Sequence, residues 1–385
     1  MTVPVALLAA LPWVLAPLAV VLRARHSQSL DDWSEVVPPP VPRVSVIIPA
    51  RNEARNIERC VLSVLTTTHP DVEVIVVDDH STDETAGIAR AIALSDSRLR
   101  VVTSEPLPEG WFGKQWACAA GAAQATGNVL LFTDADTVHA PDLVARSVNA
   151  MRARGAELLS VAGAQTLGTF WERVVQPQLF GLIVARYGGT ERVSQARRPS
   201  DAIANGQSIF ITRAAYDASG GHAAVRDKVA EDLALAQRFV RQRRRLALVT
   251  GLDQLNTRMY TSLAETVRGW QKNIYAGGRD AMPEGRWSRA LFPVALLGAP
   301  LMALVPPVVL VAGLAGFTAT ATLLWAVVAV GFSILFWAGV YVFLKLPIWY
   351  AFAYPLGLLV LLYIAVTALA RGPRVTWKGR AYRVT

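Results

Sequence analysis

Two aspartates stand one residue apart in Thr133-Asp134-Ala135-Asp136, directly after the apolar run 129–132. Carboxylates that close repel each other unless something positive lies between them. Magnesium or manganese fits that place, because magnesium is usually held by one or two carboxylates plus substrate phosphates. An Asp-x-Asp at a strand end therefore suits a nucleoside diphosphate bound through a divalent metal. Such a metal also neutralises charge building on a departing diphosphate. Taken alone, the pair fits a strand-ending turn with an Asx cap equally well.

The pair has company. Glu53 follows VSVIIPARN, Asp78 and Asp79 follow VEVIVV, and Glu231 and Asp232 open EDLALAQRF. The surrounding pattern alternates between strands and helices. Strands are expected over 44–49, 72–79, 98–104 and 128–134, with helices over 52–67, 83–94 and 114–125 between them. That alternation predicts a parallel α/β sheet. In such sheets ligands bind beyond the carboxyl ends of the strands. Arg51, Asn52, Glu53, Asp78, Asp79, Asp134 and Asp136 all fall there. Further on, strands are expected at 157–164 and 208–213, with helices at 170–190, 231–242 and 262–275.

"VSVIIPARNEARNI", "VIVVDDHSTDET" and "TDAD" resemble the family 2 glycosyltransferases, whose fold is of the GT-A type. "PEGWFGKQWAC", "ANGQSIFITR", "TRMY", "GWQKN" and the closing "VTWKGRAYRV" are similar to a membrane-bound subgroup. That subgroup includes carotenoid-acid glucosyltransferases and hopanoid-associated glycosyltransferases. The resemblance implies donor-binding roles for Pro49, Arg51, Glu53, Asp79 and Asp134, while Lys114, after a glycine-containing loop, suits either an approach to the donor diphosphate or a snorkelling lysine at a helix start. It implies a metal (Mg or Mn) at Asp136 with Asp134 nearby, and an acceptor side formed by Asn205, Gln207, Arg258 and Trp270. It also implies a Glu-Asp catalytic pair at Glu231 and Asp232. Inverting transfer needs a carboxylate to take the acceptor hydroxyl's proton, and Asp232 is the candidate base. The same pair would also suit an acidic first helical turn. His139 is read as structural, ahead of a role as third metal ligand. Processive relatives carry Gln-x-x-Arg-Trp. Here "ETVRGW" has Glu265 for Gln, and Gly269 separates Arg268 from Trp270, which argues against polymer synthesis.

Composition places these residues in a membrane protein. Hydrophobic residues make up 53% of 385 and charged residues 17%, and the apolar excess is concentrated. Residues 3–22, 290–344 and 346–370 carry no charge, and a spanning helix needs about 20 apolar residues. The expected order is an N-terminal anchor (1–25), a proline-rich linker (26–43), the catalytic domain (44–260), an amphipathic interfacial segment (261–289), apolar helices (290–370) and a basic tail (371–385). Arg23 and Arg25 follow the first apolar stretch, so the catalytic domain is expected in the cytoplasm and the anchor to be retained. The net charge of +9 suits anionic headgroups, and no nucleic-acid motif is present. Cys60 and Cys118 have no metal-ligand spacing. Three C-terminal crossings would leave the basic tail outside, whereas its arginines and lysine favour the inside, where its Trp-Lys-Gly-Arg motif is expected to pack near the active site. The proline-rich segment 291–313 is the one expected not to cross fully. A nucleotidyltransferase-like enzyme and a noncatalytic scaffold or transporter are the rival readings. The membrane helices and the Glu231–Asp232 pair speak against the first, and the lack of charge between 290 and 344 against the second.

Overall fold

The computed structural model describes residues 2–372, 374–377 and 380–383. Its centre is an eight-stranded sheet built from β1 (Val44–Ala50), β2 (Val72–Asp78), β3 (Leu99–Thr103), β4 (Val129–Thr133), β5 (Thr137–His139), β6 (Leu158–Gln165), β7 (Ser208–Thr212) and β8 (Leu246–Thr257). The order is β3-β2-β1-β4-β7-β6-β8-β5. β1 pairs in parallel with β2 and β4, β2 with β3, and β6 with β8. β7 runs antiparallel between β4 and β6. β1, β2 and β4 are almost wholly buried along their length, as expected for strands covered on both faces. One apolar core takes in the helices Ile57–Leu65 and Leu143–Arg154, and the other Gly113–Gln124 and Glu231–Arg241.

One close approach matters for the site. A Cβ at Gly121 would stand 2.5 Å from Ile47 Cγ2. Only glycine lets the helix Gly113–Gln124 settle this closely on β1, and that helix carries Lys114 towards the end of β4.

The segment after the first apolar stretch is more than a spacer. Arg146 donates to the Trp33 carbonyl, Asn149 to those of Ser34 and Val36, and Arg152 to those of Pro38 and Pro40. Backbone carbonyls that proline or extended geometry leaves without strand partners are thereby satisfied by one helix, Leu143–Arg154. The linker is strapped to the catalytic domain.

Four stretches are long and apolar enough to cross a membrane: Val3–Ala24, Phe292–Leu314, Thr320–Phe343 and Ile348–Arg371. Phe292–Leu314 runs as one helix through Pro300, Pro306 and Pro307. The last stretch packs on two helices of the polar part, Phe170–Tyr187 and Leu263–Asp280. Gln178 Nε2 donates to the Tyr354 carbonyl at 3.5 Å, and Gln271 Nε2 to Thr367 Oγ1 at 2.7 Å. Val174, Leu179, Trp270, Tyr341, Tyr354 and Leu361 share one buried cluster there. After Arg371 the chain forms a hairpin of β9 (Arg374–Trp377) and β10 (Arg380–Arg383), where sequence reading expected a basic tail with its closing motif near the active site.

Candidate active site

The site assembles at the carboxyl ends of β1, β2 and β4. β1 releases Arg51, Asn52 and Glu53. Arg51 Nη1 donates to the carbonyls of Asp79 and His80 and lies 4.0 Å from Asp79 Oδ2. Asn52 and His80 both take positive φ, at 53° and 55°. Asn52 Oδ1 accepts from the Thr82 amide at 2.8 Å, so the two tight turns hold one another. The Glu53 amide donates to Thr85 Oγ1, and Glu53 Oε2 accepts from Asn56. Pro49 lies in β1 itself, paired with Val77. Asp79 is 2% exposed.

At the end of β4 the two aspartates have different surroundings. Lys114 Nζ sits 2.6 Å from Asp134 Oδ1 and 2.7 Å from Glu231 Oε1. The two carboxylates hold its ammonium against deprotonation, outweighing burial, and its pKa is well above the usual lysine value. Among the described residues Asp136 has no such partner, and its buried Oδ1 accepts no hydrogen bond. Burial and the charges of Asp134 and Glu53 push its carboxyl up to about 7. A buried carboxylate oxygen without a partner costs free energy, and a divalent cation would remove that cost. Among the described residues, no group of three or more His, Cys, Asp or Glu side chains is gathered to hold a metal. Two carboxylates with donor phosphates completing the shell fit magnesium's habit. The donor set fits a metal centred on Asp136.

His139 takes no part. Its Nε2 lies 2.9 Å from Thr133 Oγ1 and 3.2 Å from Thr137 Oγ1, and burial lowers its pKa to about 3. It is a neutral ring packed behind the motif. Cys60 stands there too, its thiol 3.6 Å from the Asp134 carbonyl and pushed up to about 12, chiefly by burial.

The opposite wall comes from the helix Glu231–Arg241. Asp232 Oδ2 accepts from the Gly206 amide at 2.9 Å. Burial and the neighbouring Glu231 charge raise its carboxyl to about 6, with Lys114 opposing. Glu231, bonded to Lys114, moves the other way and stays ionised. Two adjacent carboxyls thus have opposite shifts, the usual sign of divided labour in a site. Asn205 Nδ2 donates to the Val161 carbonyl at 2.9 Å and to Gln207 Oε1 at 3.3 Å, and Gln165 Nε2 donates to the same oxygen. Asn205, Gln207 and Asp232 therefore share one turn around Gly206.

A Cβ at Gly206 would fall 2.9 Å from Asp232 Oδ2. Gly206→Ala is expected to push that carboxylate aside. A displacement of about 1 Å costs roughly a hundredfold in rate, so turnover should fall by that order with the melting temperature little changed. Steady-state kinetics beside a thermal melt would check it.

Two sequence-read acceptor residues lie further out. Arg258 makes a paired contact to the fully buried Glu172, at 3.2 and 3.1 Å. Glu172 also caps its own helix through Thr169. Arg258 thereby ties the end of β8 to Phe170–Tyr187. Trp270 is 7% exposed, edge-on to Phe180 at 5.9 Å, and its indole N–H has no hydrogen-bond partner among the described residues.

Sequence reading missed Lys272 as a site residue, because it fits the polar side of an interfacial helix. Burial lowers its pKa, against the attraction of Glu231, Asp134 and Asp232, with Lys114 adding repulsion. The helix crosses the start of Glu231–Arg241, with Gly277 facing Ala230. "GWQKN" carried the only signal.

The tail also arrives here. Arg380 Nη1 and Nη2 donate to Asp79 Oδ2 and Oδ1 at 2.6 and 3.2 Å. The Tyr382 ring stacks on Phe112 with centroids 4.0 Å apart, and its hydroxyl accepts from the Gly113 amide. The closing motif's Arg380 thus packs at the site. The side chains of Trp377 and Lys378 lie outside the described residues.

Known proteins resemble this chain in sequence and in fold. Residues 45–232 match the family profile described as Glycosyl transferase family 2. The 4,4'-diaponeurosporenoate glycosyltransferase of Staphylococcus haemolyticus (strain JCSC1435) is 28% identical over 245 residues, 62% of this chain and 63% of its own. The Staphylococcus aureus (strain USA300) protein of the same name is 30% identical over 246 residues, 63% of either chain. The chain thus spans just under two thirds of these relatives' length. The mannosyltransferase PcManGT from Pyrobaculum calidifontis, solved with GDP-Man and Mn2+, superposes with a TM-score of 0.57 at 20% identity, over 96% of this chain and 99% of that one. The shared architecture is the GT-A fold.

Proposed function

From the match of residues 45–232 to the Glycosyl transferase family 2 profile, we propose a non-processive, inverting transfer of a sugar from a nucleotide donor to a membrane lipid. The observation that carries it is the opposed pair of carboxyl environments. Asp136 has an orphaned buried oxygen, and Asp232, across the site, is raised to about 6.

Asp136, with Asp134 beside it, would hold a divalent metal that offsets charge on the departing nucleoside diphosphate. PcManGT, which shares the fold, is solved with Mn2+ and GDP-Man. Lys114 holds Asp134 and Glu231 at fixed positions and adds positive charge near the leaving group. Glu53 and Asp79 bound the nucleoside end. Asp232 takes the acceptor's proton, its orientation fixed by the Gly206 amide. A base with a pKa near the working pH is well matched to that transfer. Asn205 and Gln207, sharing its turn, face the acceptor.

The acceptor class follows from the setting. The helix Leu263–Asp280 brings Trp270 and Lys272 between the site and the apolar helices. The relatives named above act, by their names, on a carotenoid acid. A long apolar molecule with one polar end, such as a carotenoid acid or hopanoid, suits a site opening at the membrane surface. A UDP-linked donor is the first to test. Membranes containing the protein, given UDP-sugar and Mn2+, should release UDP only when a carotenoid-acid or hopanoid acceptor is added. Acceptor-independent release from wild type and variants alike would count against the assignment.

The hairpin bears on topology. Arg380 bonded to Asp79 puts the tail on the same side as the catalytic domain. An even number of crossings must then separate residues 291 and 371. We propose that Phe292–Leu314, which sequence reading expected not to cross fully but which runs as one helix, crosses with Thr320–Phe343 as a pair. Ile348–Arg371, the most buried of the four apolar stretches, stays packed on the catalytic part. Arg23 and Arg25 set that side as cytoplasmic. A C-terminal tag should be protected from protease in sealed right-side-out cells and cut in inverted vesicles. Cleavage in intact cells would refute the pairing.

A further inference from the structure

We infer that Arg380, supplied by the C-terminal hairpin, is a donor-positioning and nucleotide-selecting residue that acts by orienting Asp79. The inference rests on Asp79 facing the donor's nucleoside.

Asp79 is nearly fully buried and flanked by two guanidinium groups. Arg51 stands on one side, 4.0 Å away, and also bonds the carbonyls of Asp79 and His80. Arg380 meets both carboxylate oxygens. Ser104 Oγ reaches Oδ1 at 3.5 Å. A carboxylate has about four lone-pair directions. A two-pronged arginine occupies one on each oxygen and fixes the plane of the group. A narrow set of acceptor directions remains for a ligand. A buried acceptor with a fixed plane selects donors by geometry, because a base without a matching N–H leaves it unpaired. A freely rotating carboxylate would accept several bases.

The other contact of the hairpin supports the same role. Tyr382 stacks on Phe112 and accepts from the Gly113 amide. The next residue is Lys114, which bridges Asp134 and Glu231. The hairpin therefore touches the donor site at both ends, at the nucleoside carboxylate and at the turn that places the lysine. It comes directly after the apolar stretch ending at Arg371. The segment that follows the apolar helices thus lines the donor side of the site.

The test uses the full chain in detergent or nanodiscs, with Mn2+ present, and measures binding and turnover for UDP-, GDP- and ADP-linked sugars. Arg380→Ala should weaken the preferred donor about ten- to hundredfold, the span of one lost charge-assisted pair. Turnover at saturating donor should change little, and preference among the three nucleotides should narrow. Arg380→Lys should recover part of the affinity without the selectivity, since an ammonium cannot grip both oxygens. In a double-mutant cycle, Asp79→Asn with Arg380→Ala should be no worse than Asp79→Asn alone. Tyr382→Phe keeps the stack and the fold, and should raise the donor KM a few-fold without altering selectivity. Unchanged donor affinity and preference in Arg380→Ala, with Asp79→Asn impaired, would overturn the inference and leave Asp79 as a donor residue. No donor effect from either variant would overturn both. Tighter donor binding in Arg380→Ala would also overturn it, making the hairpin an obstruction.

Discussion

Asp136→Ala should abolish sugar transfer and separate donor binding from divalent metal. The wild-type carboxylate is buried, has an oxygen with no partner, and shares its surroundings with Asp134 and Glu53. Alanine removes the one group whose cost a cation would relieve. Losing a metal's charge stabilisation costs several kcal/mol at the transition state, which corresponds to roughly a thousandfold or more in rate. Chelating the wild type should give the same loss, and adding metal back should restore the wild type alone. The pH dependence follows from the sign of the shift. A carboxyl with its pKa raised to about 7 is increasingly protonated as pH falls through 7, and metal must displace that proton. The metal concentration needed for half-maximal activity should rise as pH drops from about 8 to about 6. Titrating Mn2+ at several pH values checks this. A midpoint that does not vary with pH would place the metal elsewhere.

Asp232→Asn should have the second large effect, with a different signature. Asparagine keeps the shape, and its amide oxygen can still accept from Gly206, but it cannot take a proton. Turnover should fall about a hundred- to ten-thousandfold, the usual worth of a general base, while donor affinity stays near the wild-type value. The wild-type rate should decline as pH falls below about 6, where Asp232 becomes protonated, and level off above it. That acid limb should vanish in the variant. An acceptor hydroxyl depends on this base, whereas an acceptor carboxylate is already ionised at neutral pH. Comparing the variant on both acceptor types separates proton removal from mere positioning.

Much of this site was legible because its positions are set by strand ends. The fully buried strands β1, β2 and β4 read as apolar runs, and the polar residues just beyond each run must lie at the ligand edge. Glu53, Asp79, Asp134 and Asp136 were found that way, and resemblance supplied Asp232. The features that escaped depended on partners distant in sequence. β8, Leu246–Thr257, contains Thr250-Gly251-Leu252-Asp253, which reads as a turn. Pairing with β6 across a bulge at Gly163–Ala164 carries the strand through it. The helix Leu143–Arg154 has weak apolar periodicity because its polar face is spent on the linker's carbonyls. Lys272 has the sequence setting of a membrane-facing lysine, and only the crossing of its helix over the site brings it inward. The closing motif was expected near the active site, but Arg380 is 301 residues from Asp79, and the tail gives no local sign of which arginine meets which buried carboxylate.

The central claim is that this chain glycosylates a membrane lipid using Asp232. Lipids extracted from cells making the wild-type protein or Asp232→Asn at equal levels, and compared by mass spectrometry, test it most directly. For an acceptor glycosylated on a hydroxyl, the account predicts a glycolipid, one hexose unit heavier than its precursor, present with the wild type and absent with the variant, while the precursor accumulates. The same hydroxyl-linked glycolipid at equal abundance in both, or no hexose-bearing lipid in either when carotenoid acids and hopanoids are present, would contradict it.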